Sequence, residues 1–208
     1  AALWPMVAVG EKIYYYSAMF AALTAYTDAS NGDVPYASPS NKDLRITATV
    51  LKDGTDVMLD QEQANLLNGQ GVITAINANG FKSWGNNTAA YPSTTDPKDR
   101  WLAVRRFFDW DGNNFILTYF QKVDQPGNQR LIQSIVDSQN IIGNGYVARS
   151  YCAGYRVEFR EDENPPTNLL NGHLTVHTHL APYIPAEVIE NIREYDVTAL
   201  TAALTGGA

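Results

Sequence analysis

Between positions 97 and 142 apolar side chains return every three to four residues, through Trp101, Val104, Phe108, Phe115 and Tyr119 and then Leu131, Ile132, Ile135 and Ile142. From Tyr151 onward the repeat is two: residues 151–160 alternate, and residues 173–180 place Leu174, Val176, Thr178 and Leu180 on one face. Neither an all-helical nor an all-strand fold satisfies both periods. The chain therefore reads as α+β, a mixed β-sheet covered by helices. With 208 residues, 45% of them apolar, it can bury a core as one large or two small domains.

Local signals place the elements. Ser17 is positioned to cap a helix carrying Met19, Phe20, Leu23 and Tyr26, and residues 44–51 alternate as a strand. Asp60 caps a short helix stopped at Gly69, which leads into a buried strand at 71–76 closed by Asn79-Gly80. Residues 81–88 read as a fixed loop anchored by Trp84, and Asp96-Pro97 supplies cap and first turn of the long helix. A phase slip near Gly112 predicts that this helix is bent or interrupted before Val123; a second helix starts at Asn128 and closes at 143–145. Residues 164–172 form a long turn, residues 181–185 a proline-stiffened linker, and residues 188–197 a last strand. This divides the chain into an N-terminal segment and helix packed on the body (1–33), a core domain (34–185) and a proline-hinged C-terminal strand or arm with its tail (186–208).

The net charge of −7 disfavours nucleic acid and anionic membranes as partners, and no apolar run is long enough to span a bilayer. One cysteine, Cys152, makes neither an internal disulfide nor a cysteine zinc site, which suits a reducing compartment. The chain shows no secretion signal and does not begin with Met, as expected of a processed product or a piece of a longer protein.

Candidate chemistry is sparse. His177 and His179 share a strand face, a spacing able to chelate zinc with a third ligand, but His173 lies too far along the strand to join them; a solvent- or subunit-facing surface is the simpler reading. Asp109-Trp-Asp-Gly-Asn113 imitates the start of a calcium loop, yet Asn114 and Phe120 stand where glycine and a bidentate glutamate are required. Cys152 lies in an alternating strand without an activating motif, so a small core residue is favoured over a nucleophile. No phosphate loop or serine elbow is present, and the sequence predicts no catalytic, metal or cofactor site. Lys98, Arg100, Arg105 and Arg106 gather positive charge at the start of the long helix, either as a solvated face or as a surface for an acidic protein.

In order along the chain, Pro35-Tyr-Ala-Ser-Pro-Ser-Asn41, Leu66 to Asn68 with Gly71-Val-Ile-Thr74, Trp84-Gly-Asn-Asn-Thr88, Val104-Arg-Arg106, Gly172-His-Leu-Thr-Val176 and Ala181-Pro-Tyr-Ile-Pro-Ala-Glu187 resemble the C-terminal region of contractile phage tail sheath proteins, also found in related contractile particles. The resemblance spans roughly residues 34–198; the N-terminal arm and further domains usual in that family are not visible. It implies a structural subunit that stacks as rings into a helical sleeve on an inner tube and contracts on a baseplate signal, driving the tube through a target envelope.

The implied partners are other sheath subunits, the tail tube protein, and baseplate and tail terminator proteins, with no cofactor, nucleic acid or membrane. The implied location is the virion tail, assembled in the bacterial host cytoplasm. Terminal arms in such sleeves add strands to a neighbour's sheet. Val188, Ile189, Ile192, Tyr195 and Val197 are then the inter-subunit strand, and Lys98, Arg100, Arg105 and Arg106 a surface facing the tube or another subunit. Two other readings stand beside it: a small intracellular cysteine-dependent enzyme using Cys152 and a histidine, and a binding module using the aromatic run at 14–16.

Overall fold

The computed structural model describes residues 1–206. The N-terminal residues are strands rather than a packed coil. β1 (Ala2–Leu3) pairs in parallel with β5 (Val72–Asn77), and β2 (Met6–Val9) lies between β3 (Lys12–Tyr14) and β4 (Ala48–Val50), antiparallel to both. β5 also takes β6 (Phe81–Trp84) as an antiparallel hairpin partner, closed by Asn79 and Gly80 with positive φ, so that sheet is mixed. Residues 81–84, expected as loop, are thus a strand. Their outer edge is filled by the chain at 41–44: Asn41 and Leu44 donate to the Ser83 and Phe81 carbonyls, and the Ser83 N–H donates to Lys42.

α1 (Tyr16–Ser30) covers these strands. Its cap residue is Tyr15, not Ser17, which falls inside the first turn, because Tyr16 must point inward to donate to the Thr74 carbonyl. Tyr16, Phe20, Val7, Leu44, Ile73 and Ala75 make the first core. α2 (Gln61–Asn68) has the expected Asp60 cap, reinforced by Gln63 reaching back to the Asp60 N–H.

α3 (Pro97–Arg100) and α4 (Leu102–Tyr119) replace the single long helix. The interruption is at Trp101, not Gly112: Trp101 is extended and bridges Asn87, and the Leu102 N–H donates to Asn86. The break resets the helical phase, so Phe107 rather than Phe108 becomes the fully buried aromatic. α5 (Gln129–Ala148), capped by Asn128, continues through the glycines expected to end it. It packs on β7 (Cys152–Glu158), which pairs antiparallel with β8 (His177–Pro182). Phe107, Tyr146, Cys152, Tyr155, Val157 and Val34 form a second core, beneath α4 and α5. β8 begins later than expected, leaving His173 outside it, and extends into residues 181–182 of the predicted linker. The long turn contains α6 (Pro166–Leu170), and the chain ends in α7 (Val197–Thr205). Three small sheets, one of them mixed, with helices against them, make the fold α+β.

Candidate interaction surfaces

The amide-rich loop after β6 is held from several sides, as its composition predicts. Trp84 Nε1 donates to Asn65 Oδ1 at 2.8 Å, Asn87 Nδ2 to the Asn68 carbonyl at 3.1 Å, and the Ser38 hydroxyl to Asn86. Arg100 is built into the same cluster. Its guanidinium lies 4.5 Å from the Tyr91 ring centre and 4.2 Å from that of Trp101, donates to Asn87 Oδ1 at 3.0 Å and reaches Glu187 at 3.4 Å.

The other cations of the basic cluster also meet acids of their own chain. Arg105 lies 3.1 Å from Asp99 and 2.9 Å from Asp109, and Arg106 grips Asp28 with both terminal nitrogens. Lys98 alone of the four has no ion-pair partner among the described residues. Arg106 and Asp28 are only part-exposed and tie α4 to the end of α1. Arg106→Ala should therefore cost about 1–3 kcal/mol in urea unfolding, the range for a paired, mostly desolvated charge. Adding Asp28→Ala to that variant should cost much less than Asp28→Ala alone; additive losses would show that the two do not cooperate.

Beyond β8, residues 183–196 carry no regular secondary structure. Val188, Ile189, Ile192 and Tyr195 stand in solvent, Ile189 at 88% and Ile192 at 85% exposure, and Val197 opens α7 behind an Asp196 cap. The strand expected at 188–197 does not form in the single chain. A strand needs a ladder partner, and these residues have no hydrogen-bonded strand beside them. Glu187 holds the segment to the body through Arg100 and, at 3.5 Å, the Asn86 amide.

The β7–β8 sheet has two differently treated edges. On the β7 side, Asn140 of α5 lays its amide along the strand: Nδ2 donates to the Val157 carbonyl and Oδ1 accepts from the Val157 N–H, both at 2.8 Å. Because these Val157 groups face Asn140, the Val157 and Thr178 pair is a non-hydrogen-bonded one, and Thr178 turns its own N–H and carbonyl away from β7. Leu180, two residues on, does the same. Neither N–H has a partner among the described residues, so β8 presents an open edge.

The residues weighed for chemistry are structural. Cys152 is fully buried, and burial pushes its thiol pKa up, which suppresses the thiolate. His177 Nδ1 lies 2.6 Å from Glu163 and His179 Nε2 lies 3.0 Å from Glu158; no group of three metal-ligating side chains occurs among the described residues. The Asp109 to Asn113 string is continuous helix. Its Asp111 points inward and accepts from the Tyr155 hydroxyl at 3.1 Å, and burial raises its pKa. Neither this contact nor the Asn140 clasp was foreseen. Their only sequence trace is the adjacent amides Gln139-Asn140 between inward Ile135 and Ile142. No helix among the described residues is long and apolar enough to cross a membrane.

No protein-family model matches the chain. It is 34% identical over 173 residues to the tail sheath protein of Burkholderia phage BcepMu, covering 80% of this chain and 35% of that protein. It is 30% identical over 151 residues to the tail sheath protein of Escherichia phage P2, covering 68% and 34%. The chain thus spans about a third of the length of these relatives. Its fold is that of two solved assemblies: the baseplate of the anti-feeding prophage (TM-score 0.81, 21% identity, 95% of this chain and 55% of that one) and the contracted sheath complex of the extracellular contractile injection system PVC (TM-score 0.80, 20% identity, 96% and 56%).

Proposed function

The chain is a homologue of contractile phage tail sheath proteins, equivalent to about a third of their length, and we propose that it is the part of a sheath subunit that links neighbours into rings and a helix. The open edge of β8 carries this reading. One edge of the β7–β8 sheet is closed by a dedicated asparagine and the other is left free, while the same chain holds an exposed apolar segment at 183–196 that lacks a ladder. An edge and a strand that are unmatched within one chain are matched between two. Val188, Ile189, Ile192 and Tyr195 would enter a neighbour's sheet, with the turn from Tyr195 into Val197 marking the end of the added strand.

In this reading the protein is no enzyme: contraction draws on the rearrangement of subunits and newly buried interfaces. The sleeve surrounds a tail tube, meets a baseplate and a terminator at its ends, and is assembled in the host cytoplasm before the particle is complete. A tube-facing role for the basic cluster rests chiefly on Lys98, since Arg100, Arg105 and Arg106 are matched internally. The test is negative-stain electron microscopy of the full-length gene product expressed with its tube protein. Striated tubular sleeves are expected; only dispersed monomers would refute the reading.

A further inference from the structure

Between α4 and α5 lies a cavity of about 310 Å³, walled by Asn114, Leu117, Thr118, Gln139, Ile142 and Tyr146. Gln139 is 2% exposed. Its Nε2 donates to the Tyr155 hydroxyl at 2.6 Å, and that hydroxyl donates on to Asp111. The hydroxyl has a single proton, given to the carboxylate, so the glutamine must offer its NH2 group to Tyr155 and turn its carbonyl away. That carbonyl oxygen, Oε1, has no partner. A buried acceptor left open is costly and calls for a donor.

Behind it, Asp111 is buried without a cation. No ion pair includes it among the described residues, and burial is the main influence on its acidity, opposed only by the Tyr155 hydrogen bond. The site therefore combines an unfilled acceptor with uncompensated negative charge. Leu117, on its wall, is 76% exposed, and the adjacent Ile116 and, on α5, Ile141 are exposed as well. A polar floor within an apolar rim suits a side chain with an aliphatic stem and a cationic head.

We propose that this cavity receives a guanidinium or ammonium group from the side chain of a second copy of the chain, its N–H groups bonding Gln139 Oε1 and its charge facing Asp111 across Tyr155. The identity of the neighbour rests on the assembly reading above; the chemistry of the cavity does not.

The site is tested on the isolated chain by titrating n-butylguanidinium, with n-butylurea as the neutral analogue, and following the Gln139 side-chain amide and the Asn114 and Thr118 N–H signals by NMR. Saturable shifts with the cation are expected, about tenfold weaker for the urea and about tenfold weaker in Asp111→Asn. Leu117→Trp, at an exposed position that leaves the core untouched, should close the mouth and remove the response even if Asp111→Asn fails to fold. Equal response to both compounds, or none, would mean a water-filled cavity and overturn the proposal. The neighbour is tested by Leu117→Cys in the full-length protein: maleimide should label free subunits and be excluded from assembled particles, Cys152 being buried. Labelling that persists in particles would reject the second copy as the source, and failure to form particles would count against the assembly reading while the titration still judged the cavity.

Discussion

Removing residues 186–208 from the full-length protein is expected to abolish sleeve formation while leaving the domain folded. Most of what is removed lies outside both cores: Val188, Ile189, Ile192, Tyr195 and all of α7 contribute no buried residue, and only Glu187 touches the body through side-chain contacts. Circular dichroism and the urea midpoint should therefore change little, because loss of a 3.4 Å exposed ion pair is worth about 0–1 kcal/mol. Assembly should fall to background, since each subunit loses the strand it would donate. The reciprocal substitution tests the acceptor. Thr178→Pro removes an N–H that points away from β7, so the β7–β8 ladder keeps its bonds while the first donor offered to an incoming strand is gone. If the deletion and Thr178→Pro both leave normal sleeves under the electron microscope, strand exchange through this edge is excluded. If Thr178→Pro alone assembles, the arm is received elsewhere.

What could be read in advance was what depends on neighbours in sequence. The Asp60 and Asp96 caps, the Asn79-Gly80 turn, the buried strand at β5 and the Trp84-anchored loop are local arrangements, and each is found where the residue types placed it. The errors fall where a distant partner decides. Residues 81–84 become a strand because β5 on one side and the chain at 41–44 on the other supply ladders. The long helix breaks at Trp101 because Asn86 and Asn87 pull the backbone there into an extended bridge, whereas Gly112, on an open helical face, is simply tolerated. The basic cluster looked unpaired because Asp28 is far away in sequence and reaches Arg106 only through the packing of α1 against α4. The terminal strand is the extreme case: its alternating apolar residues are present, but its ladder is not in the chain at all.

Two glycines in α5, two residues apart, should respond oppositely to alanine. By helix propensity alone each substitution favours the helix by about 1 kcal/mol. Gly145 has open space where a Cβ would stand, so Gly145→Ala should stabilise by about 0.5–1 kcal/mol. At Gly143 a Cβ would overlap three carbons of the Tyr155 ring. That ring cannot retreat easily: its hydroxyl is held by Gln139 and Asp111, and its edge packs against Tyr146 with ring centres 5.8 Å apart. Moving it would separate α5 from β7, open the second core and leave Asp111 without its donor. The overpacking cost of about 1–3 kcal/mol, together with the disturbed hydrogen bonds, exceeds the propensity gain. Gly143→Ala is expected to lower stability by about 2–4 kcal/mol, and Gly143→Val by more, because its branched carbon adds to the same clash. Urea unfolding of both alanine variants decides the matter. Shifts of the same sign would mean that propensity governs this helix, and a stable Gly143→Ala would show that the close contact between α5 and Tyr155 does not hold the second core together.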